Sequence, residues 1–268
     1  MRLALGILAL TLCNPVISEP VEKLRVIALA PHLAELVYSA GGGESLIGTV
    51  AWSDYPPAAR ELPRIGDAFR LDLERIMMLD PDLALAWRGG TPSAAAQRLE
   101  ALGIEVIWIP IRTLDDIGKA LEQLGQRLGH SISGQRAAAA FRAALAARPP
   151  FPPEDRQPAF YQVSDRPLFT LGNRHIVGEV LHRCGAYNVF SDLDTEAAAV
   201  DFEAVLARRP AVIIAGAEPG DENVLERWQK NSELLAQPVR FIEIAPDTLI
   251  RPTPRIIDGI DQLCRLME

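Results

Sequence analysis

The stretch from Leu73 to Trp87 recurs, at a constant offset and without a gap, as the stretch from Phe202 to Gly216. Glu74 falls on Glu203, Ile76 on Val205, Pro81 on Pro210 and Leu85 on Ile214. Each copy predicts the same local structure. Apolar residues three or four apart (Leu73, Ile76, Met77; Phe202, Val205, Leu206) mark one face of a short helix. A proline stops it, because proline has no N–H to donate and its ring crowds the preceding turn. The apolar run that follows is too short for a buried helix and suits a parallel strand covered on both faces. A helix feeding a strand, twice, half a chain apart, constrains the chain to two α/β lobes of similar plan.

The flanking sequence fills in those lobes. In the first, strands are expected over 25–30, 46–51 and 104–109, with a helix over 31–40. Pro31 opens that helix where a missing N–H costs nothing, and Gly41-Gly42-Gly43 closes it. Loops span 52–57 and 62–70, and a further helix closes over 97–102. Residues 113–148 differ: helical periodicity runs through Leu114, Ile117, Leu121, Leu124 and Leu128, then resumes in the alanine-rich segment 135–147. Alanine carries the smallest entropy cost in a helix, and the proline cluster at 149–153 ends it. Between the lobes, this alanine helix reads as a connecting strut. The second lobe is expected to hold strands over 158–163 and 239–244, helices over 176–183, 224–235 and 254–266, and loops over 167–173 and 245–251.

Net charge is −8 with a pI near 5.2 and no basic block, which argues against nucleic acid as a partner. Residues 1–18 read as a secretory signal peptide: Arg2 ahead of an apolar stretch too short to cross a bilayer. Leu12 before Cys13 argues against a lipoprotein anchor. Cys184 and Cys264 then remain, and an even count in an exported chain points to a disulfide, with two buried thiols as the other reading.

Ligand sites in parallel α/β sheets lie at the carboxyl ends of the strands. Those ends carry His32, Trp52, Tyr55, Trp87, Arg88, Phe169 and the run from Asp247 to Arg251. Aromatics there supply contact area and a few polar groups fix orientation. Catalytic patterns are lacking: the sequence has no GxxxxGK[ST], GxGxxG, GxSxG or HExxH, and its four histidines lack zinc spacing. A binding protein is the expectation, not an enzyme, and no cofactor is expected.

The segments Leu29–Leu36, Ser53-Asp-Tyr-Pro-Pro57, Leu73–Ile76, Pro81–Leu83, Ala86-Trp-Arg-Gly-Gly90, Val180–Phe190 and Thr253-Pro-Arg-Ile-Ile257 resemble those of the periplasmic vitamin-B12-binding proteins of cobalamin ABC importers. The resemblance covers nearly all of the chain after residue 18. It implies an α/β fold of two Rossmann-like lobes with parallel sheets, joined by a single long connecting helix, with little hinge motion. The boundaries become 21–130 for the N-terminal lobe, 131–150 for the connecting helix and 157–268 for the C-terminal lobe. It implies a periplasmic, monomeric solute-binding protein that captures cobalamin or a related corrinoid between its lobes and delivers it to the membrane subunits of an importer. The ligand-binding set implied is His32, Trp52, Tyr55, Phe69, Trp87, Arg88, Phe169, Asp247, Thr248, Leu249, Ile250 and Arg251. Glu74 and Glu203 are implied to dock on arginines of the two transmembrane subunits, and Cys184 and Cys264 to form the family's disulfide. Where several relatives carry tryptophan, this chain has Ala68, Ala197 and Thr248, with Phe69 replacing the first by a one-residue shift. His32 is of interest because imidazole is a cobalt ligand. The alternative in the same fold is a haem or ferric-siderophore binder; a secreted two-lobe enzyme is the reading from another class.

Overall fold

The structure is a computed structural model that describes residues 23–67, 70–217, 220–221 and 224–268. The expected signal peptide at 1–18 and the candidate Phe69 lie outside these residues. The first lobe is β1 (Val26–Ala28), α1 (Pro31–Ser39), β2 (Leu46–Thr49), α2 (Leu73–Leu79), β3 (Leu83–Trp87), α3 (Ser93–Ala101) and β4 (Glu105–Ile109). Its strands form one parallel sheet in the order β2-β1-β3-β4. Two helices follow, α4 (Leu114–Arg127) and α5 (Ser131–Ala146). The second lobe holds β5 (Gln157–Gln162), β6 (Ser164–Asp165), β7 (Leu168–Leu171), α6 (Val177–Arg183), β8 (Ala186–Asn188), β9 (Ala197–Ala199), α7 (Phe202–Ala207), β10 (Val212–Gly216), α8 (Glu226–Lys230), β11 (Arg240–Ile244), α9 (Pro246–Leu249) and α10 (Ile256–Met267). Its parallel sheet runs β11-β10-β5-β8.

The two repeat copies form the same unit, α2–β3 and α7–β10. The correspondence is finer than the residue types alone show. Ile76 and Val205 are the buried positions of the two helices. Asp80 and Arg209, at matching places just before the prolines, both take left-handed backbone (φ 45° and 48°). Both strands are buried on both faces up to their last residue, because apolar side chains from helices pack on each face of their sheets.

Strand alternation divides the interior. Ile27, Ala84 and Ala86 face an outer cluster with Ile76 and Leu99, and Phe160, Ile213 and Ala215 face another with Val205 and Trp228. The residues between them (Val26, Ala28, Leu83, Leu85; Ala159, Tyr161, Val212, Ile214) join α1, α4, α5, α6 and α10 in a single cluster shared by both lobes. Opening one lobe against the other would expose that shared apolar surface.

Helix α4 begins at a capping box, Thr113 and Asp116 each bonding the other's backbone N–H. It packs on α5 at a glycine crossing, where a Cβ on Gly134 would sit 2.5 Å from the Leu121 carbonyl oxygen. Beyond α5, Arg148 holds Asp261 on α10 through two bonds of 2.5 Å, tying the linker into the second lobe. Cys184 and Cys264 form the disulfide that joins the end of α6 to α10.

Three segments depart from the sequence expectation. The loop expected at 167–173 contains β7, the centre of a small antiparallel sheet with β6 and β9. Thr170 anchors it by donating to the Tyr161 carbonyl at 2.8 Å; flanking Pro167 and Gly172 hide so short a strand in the sequence. The helix expected over 224–235 is cut to α8 and a 3-10 turn at Ser232–Leu234. The loop at 245–251 holds the one-turn α9, with Pro246 at its start.

Candidate functional site

The carboxyl ends of β3 and β4 face the second lobe. After β3 the chain turns back at Trp87, whose N–H donates to Thr91 Oγ1 at 3.0 Å. The Trp87 ring lies against the backbone that follows it. A Cβ on Gly89 would meet the ring at 2.3 Å and one on Gly90 at 2.5 Å, so the two glycines are what lets the indole fold over its own turn. Arg88 points the other way, its guanidinium 5.4 Å from the Trp108 ring centroid. His32, at the start of α1, meets Trp87 edge-to-face at 4.9 Å.

His32 is 4 % exposed, and its Nε2 is buried without a hydrogen-bond partner. Burial, with the charge of Arg251 and proximity to His175, lowers its pKa to about 3. Burial alone lowers His175 to about 4; its Nδ1 accepts from the Val177 N–H at 3.1 Å. Both rings are therefore neutral at ordinary pH, His32 brought by the first lobe and His175 by the second.

At one edge of the cleft, charges pair directly across the lobes. Glu35 on α1 is 2 % exposed, among the fully buried Leu33, Ala34, Leu36 and Val37. Arg255 reaches it from the second lobe with bonds of 2.9 and 2.7 Å, and Arg251 at 3.2 Å. Arg251 also bonds Asp54 at 2.8 Å and Asp247 at 2.6 Å. Tyr55 lies under the Arg255 guanidinium, 4.1 Å from its ring centroid. Partial burial works to raise Asp54, but the hydrogen bond and charge of Arg251 outweigh it and hold the carboxyl below its usual range. Arg255 is desolvated too, yet Glu35 holds it above the usual guanidinium value.

The loop before Asp54 is fixed from within. Thr49 and Ser53 hydroxyls meet at 2.6 Å, and Arg64 donates to the Ser53 carbonyl at 2.9 Å. Trp52, on its rim, has φ 65° and is 80 % exposed. An indole held outward at positive φ is a costly arrangement and a ready contact surface.

The opposite edge is open. A cavity of about 160 Å³ lies between Trp87, Arg88, Gly89, Pro110, Ile111 and Arg112 of the first lobe and Arg174, Thr195 and Glu196 of the second. Arg174 pairs with Asp194 at 2.8 and 2.6 Å. Arg112 and Glu196 share the cavity, and no hydrogen bond or ion pair joins them among the described residues.

The structure thus brings His32 to Trp87, and Tyr55 to the Asp247–Arg251 segment. Thr248 is half-buried there, its hydroxyl donating to the Ala245 carbonyl at 3.2 Å. Leu249 is fully buried and Ile250 packs against the shared core, so both support the loop from inside. Phe169 is half-buried on β7, opposite Ala199. Glu74 and Glu203 are both exposed, in the first turns of α2 and α7. The charged residues Glu35, Asp54, Arg255, Arg112, Arg174 and Glu196 were not among the sequence candidates. For Glu35 a signal existed, a carboxylate inside an otherwise apolar helix face, which must find a cation. Among the described residues, no cluster of three or more His, Cys, Asp or Glu side chains is arranged to hold a metal.

Residues 26–239 match the family model for periplasmic binding proteins, and the chain belongs to that family. Among its relatives is the vitamin B12-binding protein of Vibrio parahaemolyticus, 34% identical over 97% of this chain and 93% of its own. The vitamin B12-binding protein of Pectobacterium carotovorum is 36% identical over 98% and 94%. Among solved structures, the periplasmic vitamin B12 binding protein BtuF of Vibrio cholerae superimposes with a TM-score of 0.81 at 33% identity, covering 91% of this chain and 96% of that one. The periplasmic heme-binding protein RhuT of Roseiflexus sp. RS-1 has a TM-score of 0.74 at 22% identity, covering 91% and 98%; that likeness shows the fold.

Proposed function

We propose that this protein captures cobalamin, or a closely related corrinoid, in the cleft between its lobes and delivers it to an ABC importer. The observation that carries the reading is near-complete coverage at 34–36% identity by relatives called vitamin B12-binding proteins. The cleft is consistent with it. Trp87, Phe169, Tyr55 and the outward Trp52 offer flat apolar area to a macrocycle, and the Asp247–Arg251 segment, whose Arg251 is paired with Glu35, Asp54 and Asp247, borders that surface. His32 keeps a neutral imidazole against Trp87; buried as it is, we assign it to lining the cleft floor beneath the ligand face, with cobalt coordination as the outcome a spectral change would reveal. Glu74 and Glu203, one on each lobe at the same turn of the same helix, suit a two-fold partner that offers a basic residue to each.

The test is a titration of purified protein with cyanocobalamin, haem and ferric siderophores, followed by uptake through the reconstituted importer. Cobalamin is expected to bind one per chain and to be transported. Binding of haem but not cobalamin would overturn the reading. For docking, Glu74→Arg with Glu203→Arg is expected to keep ligand affinity and abolish uptake; undiminished uptake contradicts it.

A further inference from the structure

The open edge of the cleft carries paired but separated charges, and we propose that this cavity is a carboxamide-reading subsite through which the protein accepts amide-bearing macrocycles and rejects carboxylate-bearing ones. The inference rests on the corrinoid reading and deepens it: a corrinoid rim carries primary amides where haem carries propionates.

The geometry supplies both halves of amide recognition. Arg112, in the loop between β4 and α4, offers N–H donors. Glu196, just before β9, offers acceptor oxygens. Both line one cavity of about 160 Å³ and neither is bonded to the other. An amide placed between them accepts from the guanidinium and donates to the carboxylate, so both partners are satisfied by one neutral group. A carboxylate in the same place would bond Arg112 but set two like charges side by side, which costs affinity and sharpens selection.

The acceptor is held in place by its backbone. Gly172 N–H donates to the Glu196 carbonyl at 3.0 Å, Asn173 N–H to Leu193 at 2.9 Å and Arg174 N–H to Thr195 at 3.2 Å. A Cβ at Gly172 would come within 2.3 Å of the Thr195 carbonyl oxygen, so this close approach needs glycine. Three arginines line the cavity; Arg174 is engaged by Asp194 and the Arg88 guanidinium is turned to the Trp108 ring, so Arg112 is the donor set against Glu196. Burial raises the Glu196 pKa while Arg112 and Arg174 oppose the rise, as expected of a partly desolvated carboxyl beside cations.

The test compares two corrinoids of like shape: dicyanocobinamide, whose arms are amides, and dicyanocobyrinic acid, whose arms are carboxylates. Affinities are measured by calorimetry at pH 7.5 for the wild type, Glu196→Gln and Arg112→Ala. Wild type is expected to prefer the amide ligand. Glu196→Gln should lower that preference roughly tenfold, since the repelling charge is gone, and Arg112→Ala should raise it. Because the ligands differ at every arm, the change between variants isolates this cavity. An unchanged preference in both variants, with wild type binding cobinamide, overturns the subsite and leaves the corrinoid reading standing. A wild type that binds neither corrinoid overturns both.

Discussion

The two edges of the cleft use the same chemistry to opposite ends. At one, Glu35 and Asp54 of the first lobe meet Arg251 and Arg255 of the second in direct contact. At the other the signs are exchanged: Arg112 comes from the first lobe and Glu196 from the second, and a cavity separates them. The difference follows from burial. Glu35 is embedded in an apolar helix face and has no water to solvate it, so its cations must touch it. Arg112 is exposed and needs no protein partner. One edge therefore fixes how the lobes sit, and the other keeps polar groups free for a ligand.

The largest expected effect comes from loosening the scaffold of the closed edge. The disulfide ties α6 to α10, whose first residues follow Arg255. Its sequence separation is 80 residues, and closing so long a loop restricts the unfolded chain by about 4–5 kcal/mol, an upper figure. Cys184→Ala with Cys264→Ala should lower the melting temperature markedly; a shift under a few degrees contradicts this.

Next is Glu35→Ala, which leaves Arg251 and Arg255 partly buried without their shared partner. The expected loss is ~3 kcal/mol in urea unfolding. Arg112→Ala, at the open edge, should fall within ~0.5 kcal/mol of wild type. Equal losses at the two edges would erase the distinction drawn between them.

Acid should probe the floor between the edges. His32 and His175 have folded pKa values of about 3 and about 4, below the unfolded value of about 6.5. The unfolded chain takes up protons first, so stability is full above pH 6.5 and declines as pH falls toward 4 and then 3. At pH 5 the loss is roughly 2 kcal/mol for each histidine. His175→Gln should flatten the melting-temperature profile between pH 6.5 and 4; an unchanged slope contradicts a buried neutral ring.

Small as well is the effect of Glu74→Ala or Glu203→Ala on stability, ~0.3–1 kcal/mol each from the helix dipole. A larger loss would place these glutamates in the fold and not on a docking face.

The sequence made the repeat legible, down to the proline that ends each helix, because period and spacing are local properties. It also exposed the strand ends and their aromatics. The closed edge was not legible: Arg251 and Arg255 lie 216 and 220 residues from Glu35, and nothing local announces that pairing. The open edge was hidden for a related reason. Arg112 and Glu196 each look like ordinary surface charges, and β9 and β7, which position Glu196, are too short to leave a clear alternation.

The central claim is that a single corrinoid lies between the lobes and is held by both. Calorimetric titration of cyanocobalamin into wild type, Trp87→Ala and Phe169→Ala, one variant in each lobe, tests it most directly. The account expects one ligand per chain and a weakening of roughly 1–3 kcal/mol in each variant, as for buried aromatic anchors. Wild-type affinity in both variants would contradict it.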